Sequence, residues 1–210
     1  MTDRLLSVDP HVWCFMGDSV TQGARHTHGR RDYTEIIAER VRWELGRFDD
    51  VILNLGVSGA TVEDCAEKYA AQLERFRPDT VSLMFGVNDA KLGDSGLGRF
   101  HEVYRNLVKD LRDRCRVRVV LHTPNPVFGE QSRVTRVALP RYVEVVRKLA
   151  AAEGIQLVDN FSLWDSADES GLMDDDIHPN GNGHLVIARA FLIEVGLWDS
   201  RSELAAEAGL

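Results

Sequence analysis

Apolar positions along the chain follow two alternating patterns. Short runs rich in β-branched and aromatic residues recur at HVWCFMG (11–17), DVILNLG (50–56), TVSLMFG (80–86), VRVVLHT (117–123) and IQLVDN (155–160), each bounded by Gly, Pro, Asn or Asp. Between them the apolar residues space out at helical intervals, predicting helices at about Tyr33 to Leu45, Val62 to Arg75, Arg99 to Arg114 and Ala138 to Glu153, with a last one from Gly183 to Val195. This βα order, with VILNLG, VSLMF and VRVVL apolar almost throughout, predicts parallel strands covered on both faces. Right-handed crossovers then give a doubly wound α/β fold, a three-layer α/β/α sandwich around a five-stranded parallel sheet.

No repeat, low-complexity tract or Pro/Gly/Ser-rich linker divides the 210 residues, so the expectation is one domain over 1–210, with a core of about 10–198. The tail from Asp199 to Leu210 shows little apolar periodicity and reads as a frayed terminal helix or loose end. Lys plus Arg number 25 against 33 Asp plus Glu, a formal charge of −8, which disfavours nucleic acid and anionic membrane surfaces as partners. No stretch approaches the ~20 apolar residues of a membrane-spanning helix, so no membrane insertion is expected. The N-terminal MTDRLLSVDP lacks the apolar centre of a secretory signal, and the three cysteines Cys14, Cys65 and Cys115 read as small buried hydrophobes in a reducing setting. Both point to the cytoplasm.

In a doubly wound sheet, ligands gather beyond the carboxyl ends of the strands, so the residues following each strand carry the functional reading. The first strand leads into Gly17-Asp18-Ser19-Val20-Thr21-Gln22-Gly23, which lacks the glycine spacing and Lys-Ser/Thr ending of phosphate-binding loops. It can present a serine hydroxyl, although Gly-Asp-Ser alone also reads as a turn and helix cap. The second strand ends in Asn54-Leu55-Gly56-Val57-Ser58-Gly59, small enough for backbone amides to approach a ligand, and the third in Gly86-Val87-Asn88-Asp89, whose carboxamide can donate to an oxyanion. Near the C-terminus, Asp175-Asp176-Ile177-His178-Pro179 within Asp174 to His184 offers a general base and, three positions earlier, a carboxylate to orient it. Each segment alone has a plain structural explanation; all four at one edge of one sheet do not.

Together the segments resemble the SGNH hydrolases, also called GDSL-type esterases and lipases. The resemblance rests on Gly17-Asp18-Ser19, on Gly59 of Asn54-x-Gly56-x-Ser58-Gly59, on Gly86-x-Asn88-Asp89 and on Asp175-x-x-His178-Pro179, and it spans nearly the whole chain. Val20 stands where the family's nickname has leucine. The resemblance implies a flavodoxin-like SGNH hydrolase fold, Ser19 as nucleophile, His178 as base and Asp175 as its support. It further implies an oxyanion hole from the Ser19 and Gly59 amides with the Asn88 side chain, and no metal or organic cofactor. The implied activity is serine ester hydrolysis through an acyl-enzyme, with O-deacetylation or deacylation of a small intracellular ester as the expected reaction. An acyltransferase or thioesterase using the same triad, and a catalytically silent ligand-binding protein, are the rival readings.

Further residues enter as substrate contacts. His26 and His28 lie in the basic run Arg25 to Arg31 directly after the serine loop, and Thr123 and Pro124 leave the fourth strand towards the same edge. The alternating histidines lack a third suitably spaced ligand, so no metal site is expected there. A second Gly-Asp-Ser at 93–95 reads as a loop before the third helix, and Trp164 as packing.

Overall fold

The computed structural model describes residues 9–164 and 169–207, with residues 169, 170 and 207 described in backbone only; the start of the N-terminal segment and the last three tail residues lie outside the described residues. Five parallel strands, β1 (Val12–Gly17), β2 (Val51–Asn54), β3 (Thr80–Met84), β4 (Arg118–Thr123) and β5 (Gln156–Asp159), form one sheet in the order β2-β1-β3-β4-β5. Each lies within its predicted run. The register pairs Val12 with Val51, Gly17 with Met84 and Thr123 with Asp159, which brings the carboxyl ends of β1, β3, β4 and β5 to one edge.

Pleat alternation divides the core into two layers. Cys14, Met16, Val81, Leu83, Val119 and Leu121 face α3 (Val62–Phe76), α4 (Leu97–Asp113) and α5 (Arg133–Glu153). Trp13, Phe15, Met84, Val120 and Val158 face α2 (Tyr33–Ala38) and α7 (Gly181–Glu194). The three-layer sandwich of the sequence reading is therefore present.

Four local features differ from that reading. β2 was expected to be covered on both faces, yet no residue of it is fully buried and Val51 is 44% exposed, because β2 is the edge strand. α2 keeps its predicted extent only by passing into a π-helical stretch, Glu39–Glu44, and α5 begins five residues before Ala138. The extra turn of α5 exposes Val134 and Val137, so it carries no amphipathic signal. In the described part of the tail, a packed terminal helix stands in place of a loose end: within α8 (Glu203–Glu207) Leu204 and Ala205 are buried, and the Leu204 amide donates to Glu44 Oε1 at 2.9 Å. A single helical turn shows no period, yet its Leu204 joins the core layer of α2 and α7. Cys14 is buried as expected, whereas Cys65 is half-buried and Cys115 exposed.

Candidate active site

β1 stops at Gly17 because nothing larger fits: a β-carbon there would collide with Thr21 Oγ1 and lie 2.9 Å from the Met84 carbonyl. The chain turns at once into α1 (Ser19–Gln22), capped by Asp18, whose Oδ1 accepts from the Val20 amide at 2.9 Å, and closed by Gly23 in the left-handed region. Ser19 thus opens a one-turn helix at the carboxyl edge of the sheet. The loop after β2 packs against this turn: Asn54 Nδ2 donates to the Thr21 carbonyl at 2.6 Å, and a β-carbon on Gly56 would strike the backbone of Gln22.

After β3, Asn88 Nδ2 donates to the Ala60 carbonyl at 3.0 Å and lies 3.4 Å from Asp18 Oδ2. Its Oδ1 accepts from Lys91. Asp89 is buried and accepts from the Val62 amide at 3.1 Å, fastening α3 to the β3 loop. Burial pushes the Asp18 carboxyl up to about 7 and that of Asp89 up to about 6. Gly59, between these groups, has φ +80°, a conformation that glycine adopts without strain. Among the described residues the amides of Ser19 and Gly59 donate to no other group.

The second half of the site comes from the loop before α7. His178 Nε2 lies 2.9 Å from Ser19 Oγ, and His178 Nδ1 lies 2.9 Å from both carboxylate oxygens of Asp175. Asp175 Oδ1 also accepts from the amides of Ile177 and His178, at 2.8 and 2.7 Å. Burial opposes charge on the Asp175 carboxyl, but these two amides and the His178 ring outweigh it and hold the group below its ordinary value. For His178, burial is the larger influence and lowers its proton affinity despite the carboxylate beside it. A neutral imidazole so placed can take a proton from the serine hydroxyl.

Other singled-out residues have different surroundings. Thr123 is fully buried, its hydroxyl donating to Asp159 Oδ1 and accepting from the Phe161 amide, both at 2.9 Å. Pro124 is buried too, packed over Gly86. Both side chains are taken up within the protein, where they fix the start of the β4–α5 loop. That loop instead meets the His178 loop through Asn125, which the sequence reading did not single out: its buried Nδ2 donates to the Ile177 carbonyl at 2.8 Å. His26 lies flat against His178, ring centroids 3.7 Å apart and planes within 1°, with Nδ1 at 2.8 Å from Asp174 Oδ2. His28 Nε2 meets the other oxygen of Asp174 at 2.6 Å. Ser95 turns its hydroxyl onto the Leu92 carbonyl within a 3₁₀ stretch, and Trp164 packs in the core.

His26, Asp175 and His178 offer three potential metal ligands within 4.8 Å of one another. Parallel stacked imidazoles, however, hold their nitrogen lone pairs in separate planes, so the two rings do not converge on one cation. A cavity of about 180 Å³ opens beside Gly17 and Gly59, lined also by Leu55, Val57, Cys65 and Phe85. No described helix is long and apolar enough to cross a membrane.

An acetylxylan esterase of Geobacillus stearothermophilus is 27% identical over 87% of this chain and 92% of its own length. Its crystal structure with the catalytic serine replaced by alanine superposes with a TM-score of 0.75 at 25% identity, covering 91% of this chain and 97% of that one. The same enzyme has been crystallised with a catalytic aspartate, and with a histidine three positions after it, replaced by alanine. LAE5, an α/β hydrolase from the metagenome of Lake Arreo, gives a TM-score of 0.72 at 26% identity, over 90% of this chain and 97% of that one. The model of the GDSL-like lipase/acylhydrolase family matches residues 15–186, from within β1 into α7. The chain, a carboxylic ester hydrolase, belongs to the GDSL-like lipase/acylhydrolase family.

Proposed function

We propose that the protein removes a short acyl group, acetyl foremost, from a hydroxyl of a small molecule through a serine acyl-enzyme. The observation that carries the reading is the unbroken chain from Ser19 Oγ to His178 Nε2, and from His178 Nδ1 to Asp175, each link 2.9 Å long. Ser19 attacks the ester carbonyl while His178 takes its proton, and Asp175 holds the ring in the tautomer with Nδ1 protonated and stabilises the imidazolium that forms. The negative oxygen of the tetrahedral intermediate is met by the amides of Ser19 and Gly59 and by the Asn88 hydrogen not given to Ala60. His178 returns its proton to the leaving alcohol. Water then enters, activated by the same ring, and releases the acid.

The size of the acyl group is argued from the cavity beside Gly59: about 180 Å³ is below the ~300 Å³ at which pockets for drug-sized ligands begin. Likeness to an acetylxylan esterase supports acetyl and a polyhydroxylated alcohol. Three free thiols support a reducing, cytoplasmic setting, and one domain carries the whole reaction. Cell fractionation checks the setting, and recovery with a membrane or secreted fraction overturns it.

The deciding experiment compares p-nitrophenyl acetate, butyrate and octanoate with an acetylated xylooligosaccharide, for the wild type and for Ser19→Ala. Turnover is expected to fall as the acyl chain lengthens and to vanish in the variant. Preference for octanoate would overturn the short-acyl reading; an active Ser19→Ala would overturn the mechanism.

A further inference from the structure

His26 was expected to touch substrate, but its surroundings give it another task. It sits on the loop joining α1 to α2, which is folded onto itself: Thr27 is buried and its hydroxyl donates to the Gly23 carbonyl at 2.9 Å, while the Arg30 amide donates to the Thr27 carbonyl at 3.0 Å. From this anchored loop the His26 ring lies parallel to His178 at contact distance. Asp174 holds it there through Nδ1 at 2.8 Å, and the Asp174 amide itself donates to the His178 carbonyl at 2.8 Å. Two imidazole–carboxylate pairs, His26 with Asp174 and His178 with Asp175, are therefore laid one on the other.

We propose that His26 is a positioning residue for His178: its ring, fixed by Asp174, is a flat backing that sets the plane in which His178 addresses Ser19, and its charge, with that of Asp174, sets the field the base works in. This rests on the reading of His178 as the general base. An imidazole has a broad torsional preference about its last side-chain bond, and its link to Asp175 restrains one edge only. A parallel ring at van der Waals distance removes most of the remaining freedom. It holds Nε2 on the serine before substrate arrives, which lowers the cost of reaching a reactive geometry.

The electrostatic part has a definite sign. The His26 imidazole lowers the proton affinity of His178, while the Asp174 carboxylate raises it. The titratable groups facing the stacked pair are Asp174 and Asp175 from the loop before α7, His28 from His26's own loop and His184 from α7.

The test follows the rate at which a fluorophosphonate modifies Ser19 from about pH 5 to about pH 9, read by intact mass, in the wild type, His26→Ala, His26→Phe and Asp174→Asn. Ser19→Ala serves as the blank. His26→Ala is expected to lose about tenfold in rate across the range. His26→Phe restores the flat ring and recovers most of the rate at high pH, but its acidic limb moves up, because the influence of His26 that lowers the proton affinity of His178 is gone. Asp174→Asn moves the limb down. Profiles in all three variants that superpose on the wild type would overturn the proposal. So would a His26→Phe variant as slow as His26→Ala with an unmoved limb, or a rise in KM for an ester as the sole effect, which would make His26 a substrate contact. A wild type that the probe does not label would instead strike the serine mechanism itself, a result separable from the others.

Discussion

The two halves of the site are built on opposite terms. The half that carries Ser19, from Gly17 to Gly23 with the loops after β2 and β3, is sunk into the sheet edge: Asp18 and Asp89 are buried, and Asn54 and Asn88 each donate to a neighbouring backbone carbonyl. The half that carries His178 is a loop at the surface, with the Asp175 side chain 44% exposed and His178 18%. It is held by bonds between loops, from Asn125 to the Ile177 carbonyl, from the Phe128 amide to the Asp176 carbonyl, and by the Met173–Pro179 bridge. One aspartate in each half shows the consequence. Asp18 loses its solvent and is pushed up to about 7, whereas Asp175 keeps water and two amides and is held down as a carboxylate. Donors that meet an oxyanion gain from rigidity and a dry setting; a base that cycles a proton gains from a fixed partner and access to water.

Four substitutions test this contrast. The largest effect falls on Ser19→Ala, which removes the group where the halves meet: kcat should fall by at least ~10⁴-fold with the fold intact, measured as turnover beside circular dichroism. Asn88→Ala strips one donor from the rigid half and should lower kcat by about 10²- to 10³-fold with little change in KM. An effect below about tenfold would mean that Ala60 and Asp18 engage both Asn88 hydrogens throughout. Asn125→Ala loosens the His178 half from outside it. The Ile177 carbonyl loses its buried donor, so urea unfolding should show a loss of about 1 to 2 kcal/mol, and kcat should drop by about tenfold. Asp18→Asn keeps the helix cap, and its readout is stability. Because the folded-state value of Asp18 is raised from 3.8 to about 7, the folded protein holds a proton that the unfolded chain releases, so wild-type stability falls as pH climbs through that window. Asp18→Asn should flatten this slope, leaving the part contributed by Asp89; an unchanged slope would show that Asp18 is ionised in the folded protein.

The rate has its own pH dependence. Burial lowers the proton affinity of His178, so kcat/KM should reach half its plateau below the ordinary histidine value near 6.5. A limb above that value would mean that Asp175 outweighs burial.

The central strands were readable from sequence because a buried parallel strand writes a continuous apolar run, the edge strands β2 and β5 because short apolar runs end at Gly, Asn or Asp, and the four site segments because each directly follows a strand or precedes the last apolar helix. What was missed has a common cause: it depends on which neighbour a residue meets. Thr123 shares pleat parity with Val119 and Leu121, a signal that it points into the α5 layer, but its covering came from Asp159 and Phe161, thirty-odd residues later. VILNLG is as apolar as the central strands, and only the sheet order makes it an edge. The stack of His26 on His178 joins two loops 152 positions apart, leaving no local pattern.

The Ser19–His178 contact spans 159 positions of chain. On the proposed mechanism, a chain folded only through its fourth strand would hold Ser19 and all three oxyanion donors but not His178, and should be inert. Recovery of esterase turnover after dilution from denaturant should therefore time the arrival of the His178 loop at the sheet edge, more directly than a spectroscopic signal from any single helix.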